Sequence, residues 1–254
     1  MTLEICVDDI AGLDAAISGG ADRVELCAAL ALGGLTPAPS LLEAARTAPV
    51  PLHMLIRPRE GGFRYGAREA AMIALDMRAA AETGLAGIVI GAGTAEHALD
   101  SALLASLVDH ARVLGNARGR PLSLTLHRVF DLCPDLCVAL DTAIELGVDR
   151  VLTSGGERKA IDGLAMLSTL HRRAAGRIVV LPGSGIDADN AARFLELGLT
   201  EIHASCGTAI EPTDSSVDTR ERQFGFTAPG RRKTDVARVR ALKAVLDAFN
   251  RQHA

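Results

Sequence analysis

The chain has 254 residues, 48% of them hydrophobic and 23% charged, which is enough for a large core in one α/β-barrel-sized domain or in two smaller ones. The net charge is −4 and aromatic residues make up 3%, so the basic stripe or stacking aromatics of a nucleic-acid-binding protein are not visible. No apolar run reaches membrane-spanning length, and a strand that begins at Leu3 leaves no room for a signal peptide. We therefore expect a cytoplasmic protein that binds neither nucleic acid nor membrane.

One unit recurs along the chain: a helical pattern ends at a glycine, and branched apolar residues follow within a few positions. The copies span residues 20–26, 84–90, 147–153 and 198–204. The glycine suits the left-handed cap of a helix, and the residues after it favour a strand. With the intervening segments, the pattern predicts eight strands at about 2–7, 22–27, 52–57, 86–91, 121–127, 149–154, 177–182 and 200–205.

Amphipathic helical patterns lie between these strands, for example over 68–83, 102–114 and 135–146, and a last one covers 234–249. Strict alternation of eight strands with helices predicts a (β/α)₈ TIM barrel in the α/β class, formed by one domain over 1–254. An open doubly wound sheet is the alternative. It is disfavoured because residues 7–10 read Val-Asp-Asp-Ile, where a dinucleotide-binding fold would place a glycine-rich turn.

The connection over 207–233 contains polar and turn-forming residues and no convincing helix or strand pattern. It follows the predicted eighth strand, on the side where barrel active sites are built. Connections this long in compact domains are usually functional or disordered. A lid over the site and a mobile surface loop are both open interpretations.

Polar and apolar side chains alternate in five of the predicted strands. The polar members are Glu4 and Cys6, Glu25 and Cys27, His53 and Arg57, the set Ser123, Thr125 and His127, and the set Glu201, His203 and Ser205. In a barrel, one face of each strand meets the helices and the other meets the lumen. We therefore expect the polar set to point inward near the top of the barrel, as a binding or catalytic pocket. A structural network of paired buried charges is the alternative.

The fifth strand runs into His127, Arg128 and Asp131, where a loop should begin. We predict that His127 or Glu25 is a general acid or base and that Asp131 orients His127. The candidate catalytic set is Glu4, Glu25, His127, Asp131 and His203. A buried histidine that is merely hydrogen-bonded is the alternative for His127.

An anion site is predicted from arginines and from the loops after strands seven and eight. The candidate residues are Arg57, Arg59, Arg128, Gly183, Ser184, Gly185 and Ser205. Arginine grips carboxylate or phosphate, and these two loops commonly form the phosphate site of barrels. Asp187 is the expected N-cap of the following helix. The Gly-Ser-Gly sequence is also compatible with a tight turn that binds nothing.

The five cysteines are Cys6, Cys27, Cys133, Cys137 and Cys206, an odd number that favours free thiols over a disulfide framework. Cys6 and Cys27 end strands one and two, which should be neighbours about 4.8 Å apart. Two thiolates at that range could hold Cu(I), which prefers soft ligands. Two small buried hydrophobic residues are the alternative.

Six segments of the sequence closely resemble the CutC family, in the expected order and up to about Ser205. They are 3–6, 20–27, 33–37, 56–63, 127–131 and 151–155. The resemblance implies a (β/α)₈ barrel, a cytoplasmic location and a part in copper homeostasis through Cu(I) binding. The proposed copper ligands of the family match Cys6 and Cys27, whereas Val7 stands where some members carry a second cysteine.

Two functions remain open at this point. One is a copper homeostasis protein with Cys6 and Cys27 as metal ligands and copper as its cargo. The other is an enzyme acting on a small anionic or phosphorylated metabolite. The expected partner is accordingly a copper ion or a small anion, and a homodimer is an open alternative.

Overall fold

The computed structural model describes residues 1–210, 216–226 and 232–253. Eight parallel strands lie at or near the predicted positions. They are β1 Thr2–Val7, β2 Arg23–Leu26, β3 Leu52–Leu55, β4 Gly87–Ile90, β5 Ser123–Leu126, β6 Arg150–Thr153, β7 Val179–Pro182 and β8 Glu201–Ala204. β1 has the predicted bounds, and the other strands are two or three residues shorter than predicted, so that Arg57, His127 and Ser205 follow their strands.

The strands follow one another around the sheet in the order β7-β6-β5-β4-β3-β2-β1-β8. β1 is central to closure, since it pairs with β2 on one side and with β8 on the other. Within the described part of the chain no hydrogen-bonded ladder joins β7 to β8, so the barrel is nearly closed. The (β/α)₈ prediction is therefore confirmed.

The helices of the outer layer lie between and after the strands. They are α1 Ile10–Gly19, α2 Pro39–Ala45, α3 Ala67–Glu82, α4 Ser101–Ala117, α5 Leu136–Leu146, α6 Leu164–Ala174, α7 Ala191–Leu195, α8 Ser216–Gln223 and α9 Val236–His253. Gly20 caps α1 with φ 93° and Gly147 caps α5 with φ 76°. A side chain is strained in this left-handed conformation, so the recurring glycines end these helices as predicted.

Two layers of side chains separate on the two faces of the sheet. Leu3, Ile5 and Leu26 belong to the main hydrophobic core between strands and helices. Cys6 and Cys27 belong instead to a small separate cluster with Leu55 and Val89 in the lumen. The alternation seen in the sequence therefore assigns these faces correctly.

The connection from Gly207 to Lys233 differs from the expectation of no regular structure. Its described residues contain α8 and one strand of a two-stranded antiparallel sheet, in which β9 Gly207–Ala209 pairs with β10 Arg232–Thr234. Residues 211–215 and 227–231 of this connection lie outside the described residues, and the choice between a lid and a mobile loop stays open. Three-residue strands give too few alternating positions to be recognised in sequence.

α9 completes the outer layer next to α1 and α7. A Cβ built on Gly19 of α1 would lie 2.4 Å from Cβ of Val239, so the two helices meet with no space for a side chain at that glycine. Val239, Leu242 and Leu246 are buried on this face. No helix in the described ranges is long and apolar enough to span a membrane. All five cysteines are free thiols, as expected.

Candidate functional site

A cavity of about 840 Å³ opens at the C-terminal ends of the strands. Of the residues predicted to form a site, those that line it are Cys6, Glu25, Cys27, Arg57, His127, Arg128, Ser184, Gly185, His203 and Ser205. The volume lies within the range of about 300–1,000 Å³ that is common for small-molecule sites. The barrel therefore gathers residues from six of its strands and the loops that follow them around one opening.

The polar inward face is divided into two levels, which the sequence did not distinguish. The lower level is an ionic network in which Arg23 contacts both Glu4 and Glu201, and Nε of Arg150 lies 2.8 Å from Oε2 of Glu201. Ser123 accepts a hydrogen bond from Arg150 at 2.5 Å. These residues do not line the cavity. Glu201 and Ser123 therefore lie below the cavity that they were predicted to line. Glu4 lies at the same lower level and does not face the cavity.

Glu4 connects the lower level to the cavity. Its Oε1 lies 2.7 Å from Nδ1 of His203, and its Oε2 lies 3.7 Å from Nδ1 of His53. Burial alone would raise the pKa of Glu4, but the hydrogen bond with His203 and the charge of Arg23 hold it well below its usual range. Glu4 is therefore a carboxylate that fixes the orientation of the His203 ring.

His203 shares the floor of the cavity with Cys6 and Glu25. One donor atom from each, a thiol sulfur, a carboxylate oxygen and a ring nitrogen, all lie within 4.8 Å of one another. Nε2 of His203 is 3.8 Å from Oε2 of Glu25, which in turn is 3.4 Å from Sγ of Cys27. Cys6 faces Glu25 in the register of β1 and β2. Because Glu4 occupies Nδ1 of His203, Nε2 is the nitrogen that an ion could use, once the proton on it is released.

Burial and mutual charge shift the pKa values of this group. Burial raises the pKa of Glu25 to about 7, against the lowering effect of the charge of His203. Burial, with the charge of Glu25 next, raises the pKa of Cys27 well above its ordinary value. Burial would lower the pKa of His203, but Cys6, Glu4 and Glu25 raise it well above the usual value. The cluster therefore attracts positive charge.

His127 and Arg57 lie on the wall formed by β3 and β5. Nδ1 of His127 accepts a hydrogen bond from the amide of Val129 at 3.1 Å. Arg57 donates to the carbonyls of Leu32, Gly34 and Gly61 at 2.9, 3.0 and 3.0 Å. Arg57 is thus a clamp on two loops as well as a cavity residue.

Asp131 does not orient His127. Its carboxylate accepts hydrogen bonds from Nε of Arg128 at 2.7 Å and from the amides of Ser154 and Gly156 at 3.0–3.1 Å. Arg128 lines the cavity, but its guanidinium also donates to Oγ of Ser154 at 2.6 Å. Asp131 and Arg128 therefore tie the loop after β5 to the loop after β6, because the 3₁₀ turn over Arg128–Leu132 directs them there.

Several predicted anion-site residues have other contacts. Arg59 does not line the cavity and instead binds Glu69 of α3. The amide of Gly183 donates to the carbonyl of Thr153 at 3.0 Å, which removes it from any ligand. α7 begins at Ala191 after Asn190, and Asp187 caps the turn that leads into it: its carboxylate accepts from the amide of Asp189 at 3.1 Å and its carbonyl from the amide of Ala191 at 3.0 Å.

The loops after β7 and β8 meet charges of both signs. Asp187 and Asp189 line the cavity beside Ser184, and the hydroxyl of Ser184 donates to the carbonyl of Arg158 at 2.7 Å. The acidic pair opposes an anion, whereas Arg232, Lys233 and Arg238, which line the same cavity, favour one. The anion site at the Gly-Ser-Gly turn therefore stays a prediction.

The sequence argument missed Phe63 and Arg23. The Phe63 ring lies 4.9 Å from the His127 ring centre and 4.9 Å from the guanidinium carbon of Arg57. Arg23 shares a face with Glu25 by the period-two rule, so the signal was present. Nothing in the local pattern marks Phe63, because it comes from a loop that folds back over the barrel.

These features define a TIM-barrel protein with a polar cavity above its strands. Comparison with known proteins supports this fold. The model of the CutC family matches residues 1–208. A CutC family protein of Sinorhizobium medicae is 49% identical over 248 residues, covering 97% of this chain and 96% of the relative. One from Vibrio cholerae is 42% identical over 208 residues, covering 81% and 80%. The chain therefore belongs to the CutC family.

Solved structures extend the comparison. The CutC protein of Streptococcus agalactiae, described as a candidate copper homeostasis protein, matches with a TM-score of 0.74 and 26% identity over 81% of this chain and 98% of its own. N-(5'-phosphoribosyl)anthranilate isomerase from Pyrococcus furiosus matches with a TM-score of 0.57 at 14% identity, over 98% and 99%. At that identity the isomerase supports the barrel fold alone.

Proposed function

We propose that this protein binds Cu(I) at the mouth of its barrel as part of copper homeostasis. The thiolates of Cys6 and Cys27 are the proposed ligands, and Nε2 of His203 is a third donor beside them. The observation that carries the proposal is the grouping of Cys6, Glu25 and His203 donor atoms within 4.8 Å. Cys27 is not a member of that group and adjoins it through Glu25, whose Oε2 lies 3.4 Å from Sγ of Cys27. The description of the Streptococcus agalactiae protein as a candidate copper homeostasis protein supports copper as the ion.

The donor set suits a soft ion. Thiolate and imidazole are both ligands of Cu(I), and the apolar side chains of Leu55 and Val89 beside the cysteines limit access of water. The contact of Glu4 with Nδ1 of His203, at 2.7 Å, has the form of the carboxylate–histidine pairs that orient metal ligands. The raised pKa of Cys27 favours a thiol in the absence of metal, and a bound cation would favour the thiolate by releasing the proton.

Zn²⁺ is the competing ion for such a group. Cysteine, histidine and glutamate together are ordinary zinc ligands, and a carboxylate is a poor partner for Cu(I). Whether Glu25 is a ligand therefore distinguishes a Zn²⁺ site from a Cu(I) site. Free thiols that hold Cu(I) also require a reducing compartment, so the proposal includes a cytoplasmic location.

Anaerobic competition with a chromogenic Cu(I) chelator tests the proposal. Cys6→Ser combined with Cys27→Ser should lower Cu(I) affinity by orders of magnitude, because hydroxyl groups are poor ligands for a soft ion. The matched control is Cys133→Ser with Cys137→Ser, which removes two thiols outside the cavity. This control should bind Cu(I) like the wild type.

The same assay has clear contrary outcomes. Failure of the wild type to outcompete even a weak Cu(I) chelator would refute copper binding. Glu25→Gln should keep Cu(I) affinity under the proposal, and a protein that prefers Zn²⁺ and loses it with this substitution would assign the site to zinc.

An enzyme that acts on a small anionic metabolite is the second candidate, and one observation favours it. Burial raises the pKa of Glu25 to about 7, which is suitable for a general base at neutral pH. A thermal-shift screen of metabolites, followed by turnover assays of the wild type and Glu25→Gln, tests this candidate. Ligands that bind without turnover would contradict it.

A further inference from the structure

Two buried polar atoms in the wall of the cavity have no hydrogen-bond partner. They are Nε of Arg57 and Nε2 of His127. Leaving a buried donor unsatisfied costs about 1–3 kcal/mol, more for a charged group. The other buried atoms without partners in the described part of the chain belong to His53, Tyr65 and Thr125, which do not line the cavity. Both atoms belong to residues of one wall and both are covered from solvent, with Phe63 packed 4.9 Å from each side chain, so a ligand reaches them only if Phe63 moves aside.

The hydrogen on His127 can be assigned from its contacts. Its Nδ1 accepts from the amide of Val129, and a neutral imidazole has one acceptor and one donor nitrogen. Burial, with the charge of Arg57 next, lowers the pKa of His127 to about 3, so the ring is neutral near pH 7. Nε2 therefore carries a hydrogen and is a fixed donor.

The ring of His127 also has a fixed position. A Cβ on Gly91 would lie 2.3 Å from Cε1 of this ring, so the imidazole packs directly on the backbone of Gly91. Any larger residue at position 91 would displace it. The donor is thus held in place by packing as well as by the hydrogen bond to Val129.

The charge of Arg57 is not balanced. Its side chain is buried, and its guanidinium donates to three neutral backbone carbonyls. Within the described residues no carboxylate forms an ion pair with it. Carbonyls satisfy the hydrogen atoms of a guanidinium but leave its positive charge without a counter-ion, which is costly in a buried site. An anion bound at this wall would supply that counter-ion.

The cavity has two chemically different sides. Cys6, Glu25 and His203 belong to β1, β2 and β8, whereas Arg57 and His127 follow β3 and β5. Phe63 lies 4.9 Å from both Arg57 and His127 and gives this second side an apolar surface. The volume of about 840 Å³ exceeds what a metal ion at the first side requires.

We propose that the second side binds the carboxylate group of a small organic acid. Nε–H of Arg57 and Nε2–H of His127 are the donors, and Phe63 packs against the apolar part of the ligand. A single negative charge fits one unbalanced guanidinium. The cavity lining carries both acidic residues (Asp8, Asp9, Asp187 and Asp189) and basic ones (Arg232, Lys233 and Arg238), so inorganic phosphate is titrated as the competing probe, and tighter binding of phosphate at His127 would overturn the proposal.

This inference deepens the second candidate function by naming the ligand class, and it does not depend on copper. The test measures carboxylate binding and not turnover, so the absence of enzyme activity would not contradict the proposed carboxylate site. The probes are the singly charged carboxylates benzoate and butyrate, each paired with its neutral amide, benzamide or butyramide. Each is titrated into the metal-free full chain, and the ¹⁵N signal of Nε2 of His127 is followed by NMR.

Both carboxylates should bind and shift the Nε2 signal, and the amides should not. His127→Leu removes the donor and should weaken carboxylate binding about 10–100-fold, the loss expected for a hydrogen bond to a charged group. His127→Gln retains a donor near the same position and should keep most of the affinity. Gly91→Ala leaves both donors in the chain but displaces the ring, so it should resemble His127→Leu.

Arg57→Met should abolish carboxylate binding, and Arg59→Met is its matched control, because Arg59 lies outside the cavity and pairs with Glu69. Arg57 also holds loop carbonyls, so the His127 variants keep the test decisive if Arg57→Met fails to fold. Absence of an Nε2 shift with both carboxylates, equal binding of the amides, or unchanged binding by His127→Leu would each overturn the proposal. Cu(I) affinity of His127→Leu should equal that of the wild type.

Discussion

His127 and His53 are neutral imidazoles buried in the barrel, and their pKa values are lowered to about 3 and about 4 by burial. Unfolding returns each to an ordinary value near 6.5, so the unfolded chain binds more protons as the pH falls below that value. Stability is therefore lost on acidification, beginning below about pH 6.5 and continuing toward the lowered values. These two residues contribute to the acid sensitivity of the fold.

The loss of stability on acidification can be measured for His127 alone. Between pH 6.5 and pH 5.0 each such histidine should remove about 1.5 kcal/mol from the free energy of unfolding. Denaturant unfolding of His127→Gln at the two pH values should show a pH-dependent loss smaller than the wild-type loss by that amount. His253→Gln changes an exposed histidine and serves as control. An identical pH dependence for wild type and His127→Gln would contradict the assignment.

At the scale of elements, α9 is part of the barrel although it lies outside the residues that the family model matches. Its buried Leu242 packs in the main core, and α9 meets α1 where Gly19 faces Val239. Lys243 of the same helix binds Asp22 at 2.8 Å, next to the start of β2. The helix therefore covers the outer side of β1 as a structural element.

Leu242→Ala should lower the free energy of unfolding by about 2–5 kcal/mol, through lost burial and the cavity that remains. Leu75→Ala in α3 is the control, because Leu75 is 61% exposed, and its effect should stay within about 0.5 kcal/mol. Chemical denaturation measures both. Equal, small effects would show that α9 is an appendage that the barrel does not need.

At the scale of the whole molecule, the lower ionic network links strands on opposite sides of the barrel. Arg23 joins Glu4 of β1 to Glu201 of β8, and Arg150 of β6 also binds Glu201. The network spans the gap where β7 and β8 share no ladder in the described residues. It therefore holds the barrel together from inside, below the cavity.

Arg23→Met should destabilise the protein by about 3–5 kcal/mol, because it leaves the buried carboxylate of Glu4 without its arginine and takes one of two arginines from Glu201. Arg46→Met removes an exposed pair with Glu43 and should change stability by no more than about 1 kcal/mol. Thermal and denaturant unfolding compare the two. A small effect of Arg23→Met would mean that Arg150 alone compensates both glutamates.

The sequence by itself determined the barrel and the faces of its strands. The glycine-ended helices, the alternation of elements and the period-two pattern are local features, and each fixes a backbone direction that the tertiary structure retains. Cys6, Glu25 and His203 could therefore be assigned to the lumen before any contact was known. The same rule also covers Arg23, which shares a strand face with Glu25.

Only the tertiary structure decided which of these residues touch one another. Glu4 and His203 lie 199 positions apart and meet because β8 closes against β1. Asp131 is four residues from His127 yet contacts Ser154, since the 3₁₀ turn after β5 directs its carboxylate to the next loop. Periodicity gives the face of a strand, whereas partners on loops depend on backbone angles and on packing between distant segments.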